Sequence, residues 1–321
     1  MSSWQPVVGE TFQWARLFND HAVWLERANR DAFPKLRGTG QFVVFSDFSA
    51  HPSGARRDVL SFLFTNDVFW RRWNTIRGAW RAESSLDTRR MKFSNLNDGK
   101  RAAALTSFLA TANSLNGLLA TFVIDSSVQS LFAQPGQLKA DLGFVDDDPL
   151  NVKVVERMLR AATIVAAVAC GLSDPGQQVL WICDDDDILA NEAWQTITSQ
   201  VAEGIFADAS RRPRQLLCLP VSTPLPERLA HEDSCSITDL VVGAVGEFAI
   251  SGFAPVVQDG VYTRPPPRLS LKTRRIVEWL AADDQPLKRL VCRTHQDLDG
   301  NLLMSGLRFV RGPDLNGGQR A

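Results

Sequence analysis

The sequence predicts an α/β fold, a mixed sheet flanked by helices, with a helical preface before it and a helix plus β-hairpin after it. Three observations carry this. Short apolar runs bounded by turn residues alternate with longer amphipathic stretches, the pattern of strands and helices in turn. Three of those runs stop abruptly on aspartate: QFVVFSD (Gln41 to Asp47), GLLATFVID (Gly117 to Asp125) and VLWICDDDD (Val179 to Asp187). With 45% hydrophobic and 22% charged residues in 321, the chain can bury a sizeable core.

In order, Glu10 to Arg30 places Trp14, Leu17, Phe18 and Val23 at helical spacing. Gln41 to Phe45 and Val59 to Thr65 read as strands joined through His51-Pro52-Ser53-Gly54, a β-hairpin. Phe69 to Arg81 is helical, and Arg90 to Leu96 (RMKFSNL) is short and extended. Gly99 to Leu115 sets Leu105, Phe108, Leu109 and Ala112 on one side of a helix. The strand Gly117 to Asp125 follows, then a surface excursion to Pro149 with a DDDP corner, then a long apolar helix, Val152 to Leu172. After the strand at Val179 come a helix (Ile188 to Ile205), a strand (Gln215 to Val221) and a helix (Ser236 to Ile250). Arg264-Pro265-Pro266-Pro267 reads as a linker to a basic helix, Lys272 to Leu280. A hairpin, Leu290 to Thr294 with Leu302 to Val310, turns at Asp299-Gly300. The predicted organisation is residues 1–38 as preface, 39–252 as the main domain and 253–321 as the extension.

Several chemistries are disfavoured. The net charge of -1 gives no global signature of a nucleic-acid binder, so such contact needs a local patch. Five scattered cysteines with no CxxC pair speak against a disulfide framework or a structural zinc. His21, His51, His231 and His295 are isolated, so neither a zinc site nor a catalytic triad is suggested. No P-loop lysine is present. The N-terminus lacks a signal-peptide pattern and the longest apolar run falls short of the ~20 residues that span a bilayer, so a cytoplasmic protein without membrane contact is expected.

The acid-terminated strands carry the functional expectation. Acids at the mouth of a sheet lie where α/β proteins place their sites, and clustered carboxylates are costly to ionise unless a cation compensates. A divalent metal bound by oxygen ligands is the natural candidate. Asp186 and Asp187 instead fit a turn in which Asp187 or Asn191 caps the following helix. Ser236-Ile237-Thr238-Asp239 also fits a capping box, while Asp239, Gly243 and Gly246 share a helix face whose small residues would let that helix approach the sheet. Arg71, Arg72, Arg77 and Lys92, interleaved with Trp70, Trp73 and Trp80, form the best nucleic-acid surface in the chain, since arginine fits phosphate and tryptophan can stack bases. The bland reading of Trp73 and Trp80 is core.

Element order and four words, SDFSA (Ser46 to Ala50), RMKF (Arg90 to Phe93), CDDDD (Cys183 to Asp187) and SITDLVVGAV (Ser236 to Val245), resemble an RNase H-like family known as domain-of-unknown-function family 3800. The resemblance spans roughly residues 41–250, and the last word is its most specific part. It implies an RNase H-like fold and a metal-dependent nuclease, carrying Asp47, Lys92, Asp184, Asp185 and Asp239 over by position. In that fold the first strand lies beside the fourth. Counting Arg90 to Leu96 as the third strand makes Gly117 to Asp125 the fourth, so Asp125 is expected to join Asp47. The expected site is thus Asp47, Asp125, Asp184 or Asp185, and Asp239 as ligands of Mg²⁺ or Mn²⁺, with Lys92 neutralising transition-state charge. Two family acids are missing here, replaced by Phe48 and Arg90. They favour the alternative, a catalytically degenerate scaffold that binds a protein or a nucleic acid. A small-molecule hydrolase ranks below both, because no nucleophile constellation is visible.

Overall fold

The structure, a computed structural model, describes residues 3–7, 13–38, 40–49, 57–128, 130, 152–210, 215–250, 269–282 and 285–309. The predicted turn at His51 to Gly54, the DDDP corner and the proline linker lie outside these residues.

One seven-stranded sheet organises the chain, in the order β5-β4-β1-β2-β3-β6-β7. Its strands are β1 (Phe42–Phe48), β2 (Arg57–Asn66), β3 (Gly117–Asp125), β4 (Val179–Cys183), β5 (Leu216–Pro220), β6 (Leu287–Gln296) and β7 (Leu302–Leu307). β1, β2 and β3 form an antiparallel meander; β4 and β5 add in parallel on the β1 side. That is the strand order of RNase H-like folds. β6 extends the same sheet in parallel with β3, and β7 closes it as an antiparallel hairpin.

Strict alternation along β1 explains why both faces are covered. Phe42, Val44 and Phe48 enter one apolar cluster, and Val43 and Phe45 enter the other. The first face carries α1 (Gln13–Ala28), α4 (Val152–Leu172) and α5 (Glu192–Ser210). The second carries α2 (Asp67–Glu83), α3 (Gly99–Asn113), α6 (Arg228–Ile250) and α7 (Leu271–Leu280). Trp70, Trp73 and Trp80 of α2 are all buried there, so none is available to stack a base. No helix among the described residues is long and apolar enough to cross a membrane.

Two departures from the sequence reading matter for the site. Arg90 to Leu96 is not a strand: it runs as a loop into a 3-10 turn at Phe93–Asn95. Apolar Met91 and Phe93 alternate with Arg90, Lys92 and Ser94 in the sequence as in a strand, but side chains rather than a neighbouring strand satisfy part of its backbone. Gly117–Asp125 is therefore the third strand, and Val179–Cys183 is the fourth. The second departure is α6, which starts at Arg228, not Ser236. Its first two turns bury His231, Asp233 and Ser234 against α2, a polar seam that hides the helix from hydrophobic periodicity.

Candidate metal centre

The register of β1 and β4 places the first two acids. Ser46 pairs with Cys183, and the Asp184 amide donates to the Ser46 carbonyl at 3.0 Å, so Asp47 and Asp184 stand level on adjacent parallel strands. Both follow the parity of Val43, Phe45 and Ile182, whose side chains face α6. From α6, Asp239 completes a group in which one carboxylate oxygen from each of Asp47, Asp184 and Asp239 lies within 4.8 Å of the others. Asp239 sits well inside its helix, so it is no N-cap; its carboxylate accepts the Phe93 amide at 2.5 Å. Ser236 likewise caps nothing and donates to the Glu232 carbonyl one turn back.

Two cations reach this group from the loop between α2 and α3. Arg90 Nη1 lies 2.5 Å from Asp184 Oδ1, and Lys92 Nζ lies 3.4 Å from Oδ2. Neither Asp47 nor Asp239 makes an ion pair among the described residues. The titration behaviour divides accordingly. Burial pushes the Asp47 carboxyl well above the usual range, and the neighbouring Asp239 and Asp184 charges add to that. Burial also raises Asp239, against the opposing pull of the Phe93 amide, Arg90 and Lys92. Burial acts on Asp184 in the same direction, but the hydrogen bond and charge of Arg90, with Lys92, hold it below the ordinary carboxylate value. Three carboxylates thus face two cations, and the uncompensated share falls on Asp47 and Asp239. Such a donor set of hard oxygens suits a divalent cation, held by Asp47 and Asp239 with an oxygen of Asp184.

Other sequence-predicted residues lie apart. Asp125 does not join the group. Asp47 is level with Ser61 and Thr121, so Asp125 stands four residues further along and two strands away. At ~3.3 Å per residue and ~4.8 Å per strand that is beyond reach of a shared ion. Its carboxylate is held by Arg57 at 2.9 Å and by Arg293, which outweigh burial and lower its pKa. The strand beside β1 is Val179–Cys183, not Gly117–Asp125, so Asp184 takes the place expected of Asp125.

Asp185 is exposed and accepts the Ser222 amide at 3.3 Å, outside the three-carboxylate group. Asp186 caps the 3-10 turn Asp187–Leu189, and Asn191 caps α5 through the Trp194 amide at 3.0 Å. Arg77 is no nucleic-acid ligand: it is buried and bonded to Asp233 at 2.8 Å. Arg71 and Arg72 are exposed on α2. Sequence reasoning missed the use made of Gly243, which makes room for Phe93 rather than for the sheet: a Cβ there would come within 2.2 Å of the Phe93 ring. It also missed Lys272, whose Nζ donates to the Phe93 carbonyl at 3.1 Å. The pairing of a lone loop aromatic with a helix glycine carries no periodic signal.

No family model matches the chain, and no curated protein matches it. Among solved structures it is similar to a chain in "Structure of the PCNA:RNase HII complex from Archaeoglobus fulgidus", with a TM-score of 0.32 and 12% identity over 75% of this chain and 89% of that one. A likeness of that size supports nothing further about this protein.

Proposed function

We propose that the protein is a divalent-metal-dependent nucleic-acid phosphodiester hydrolase, a nuclease of the family 3800 kind, using Mg²⁺ or Mn²⁺. The observation that carries the reading is the convergence of Asp47, Asp184 and Asp239 from β1, β4 and α6 to within 4.8 Å, with less positive charge than they need. A bound divalent ion supplies Lewis-acid stabilisation of charge on phosphoryl oxygens. The chain's own contributions are distinct. Asp47 and Asp239, with an oxygen of Asp184, would hold the ion. Arg90 keeps Asp184 ionised. Lys92, with its side chain 39% exposed beside Asp184, can donate to a phosphate oxygen arriving from solvent.

A second reading is favoured by one observation, the Arg90 guanidinium seated on Asp184. In this reading the acids are remnants and the fold is a scaffold for a nucleic-acid or protein partner. Incubation of purified protein with single- and double-stranded DNA, RNA and hybrid, with Mg²⁺ or Mn²⁺, separates the two. The hydrolase cleaves at least one of these, and Asp47→Asn loses cleavage while staying folded. Absence of cleavage on every substrate supports the scaffold.

A further inference from the structure

The geometry points to a centre that takes one divalent ion rather than two, with the Arg90 guanidinium fixed where a second cation would otherwise be needed. This rests on the metal-site reading above and goes beyond it by assigning the ion count and the residue that sets it.

Arg90 is no passing surface side chain. It is 14% exposed, lies 2.5 Å from Asp184 Oδ1, and donates from Nε to Ser236 Oγ at 3.4 Å. Its Nη2 is buried with no hydrogen-bond partner, so the group is held there by charge and by its backbone rather than by a saturated set of hydrogen bonds. That backbone is pinned at both ends. Arg101 Nε donates to the Arg90 carbonyl at 2.8 Å. Three residues on, Phe93 donates its amide to Asp239, accepts Lys272 at its carbonyl, and packs its ring into the space left by Gly243. Lys272 Nζ stands 4.0 Å above the same ring. The loop is thereby clamped between α6 and α7, with Arg90 and Lys92 both directed at Asp184.

Charge then fixes the count. With all three carboxylates ionised and both cations in place, one negative charge is left over, which one dication more than offsets. A second dication would add like charge beside a guanidinium that is largely buried and paired with Asp184. Leaving Asp184 would strand that guanidinium without its carboxylate.

The test is to count Mn²⁺ per chain by equilibrium dialysis, with Asp47→Asn as the control for adventitious binding. Wild type should bind one ion that Asp47→Asn does not. Arg90→Gln removes the charge and should admit a second ion, raising the count from one to two. Gly243→Ala keeps every charge, suits a helix, and fills the Phe93 seat, shifting the loop that carries Arg90; it should move the count in the same direction. Two ions in wild type would overturn the inference and leave the metal-site reading standing. No ion in wild type would overturn that reading and the inference with it. One ion in both Arg90→Gln and Gly243→Ala would show that Arg90 does not limit the count.

Discussion

Helix α6 delivers two aspartates to two different fates, and the contrast separates a strut from a site. Asp233 is fully buried and faces two arginines of α2: Arg77 at 2.8 Å, and Arg81, which grips both its oxygens. Six residues later Asp239 enters a group of three carboxylates with two cations, both seated on a neighbour. Asp125 repeats the first pattern, with Arg57 and Arg293 around one carboxylate. Where arginines outnumber acids the chain is joining elements. Where acids outnumber cations, burial leaves charge that only an added cation relieves.

Breaking the matched site should have the largest effect. Asp233→Ala leaves two buried guanidinium groups without their carboxylate, and losing one partner of a buried pair costs about 3–5 kcal/mol. Urea unfolding should show a lower midpoint of that size, with metal affinity affected only as far as α6 loosens. A change under 1 kcal/mol, on the order of an exposed pair, would erase the contrast.

The excess site should respond in the opposite sense. Asp47→Asn removes a charge that burial already disfavours, so the metal-free variant should be more stable than wild type at neutral pH, by on the order of 1 kcal/mol. The sign follows from the raised pKa of Asp47. The folded state holds the Asp47 proton more tightly, so wild type loses stability as pH rises from the unfolded pKa through the folded one. The Asn variant's advantage is therefore full above the folded pKa and vanishes below the unfolded value. Asp184, with a lowered pKa, runs the other way and gives stability that is lost as pH falls through that pKa. Urea midpoints of both proteins from acid to neutral pH check this. A variant no more stable than wild type at neutral pH would mean that Asp47 is already compensated.

The central strands were legible in the sequence because they are buried on both faces and read as mostly apolar runs, Val59 to Thr65 and Gly117 to Asp125 above all. Asp47, Asp184 and Asp239 were legible as acids ending such runs or standing in a specific word. What was not legible is what alternation cannot encode. RMKFSNL alternates like a strand, yet it is a loop fixed by Asp239, Lys272 and Arg101, and counting it moved Asp125 into a site it does not enter. The first turns of α6 were lost because their inward residues are polar, matched by Arg77, Arg81 and Trp70 from a distant segment. Arg77 looked like a phosphate ligand for the same reason: its partner lies 156 residues away.

The central claim is that the Asp47–Asp184–Asp239 excess is a divalent-metal site, and thermal unfolding with and without Mn²⁺ tests it most directly. A ligand bound only by the folded state stabilises by about 2.7 kcal/mol at a hundredfold excess over Kd, a rise in Tm of several degrees. Wild type should show that rise, and Asp47→Asn, already more stable without metal, should show none. Equal shifts in both proteins, or no shift in wild type at millimolar Mn²⁺, would contradict the account.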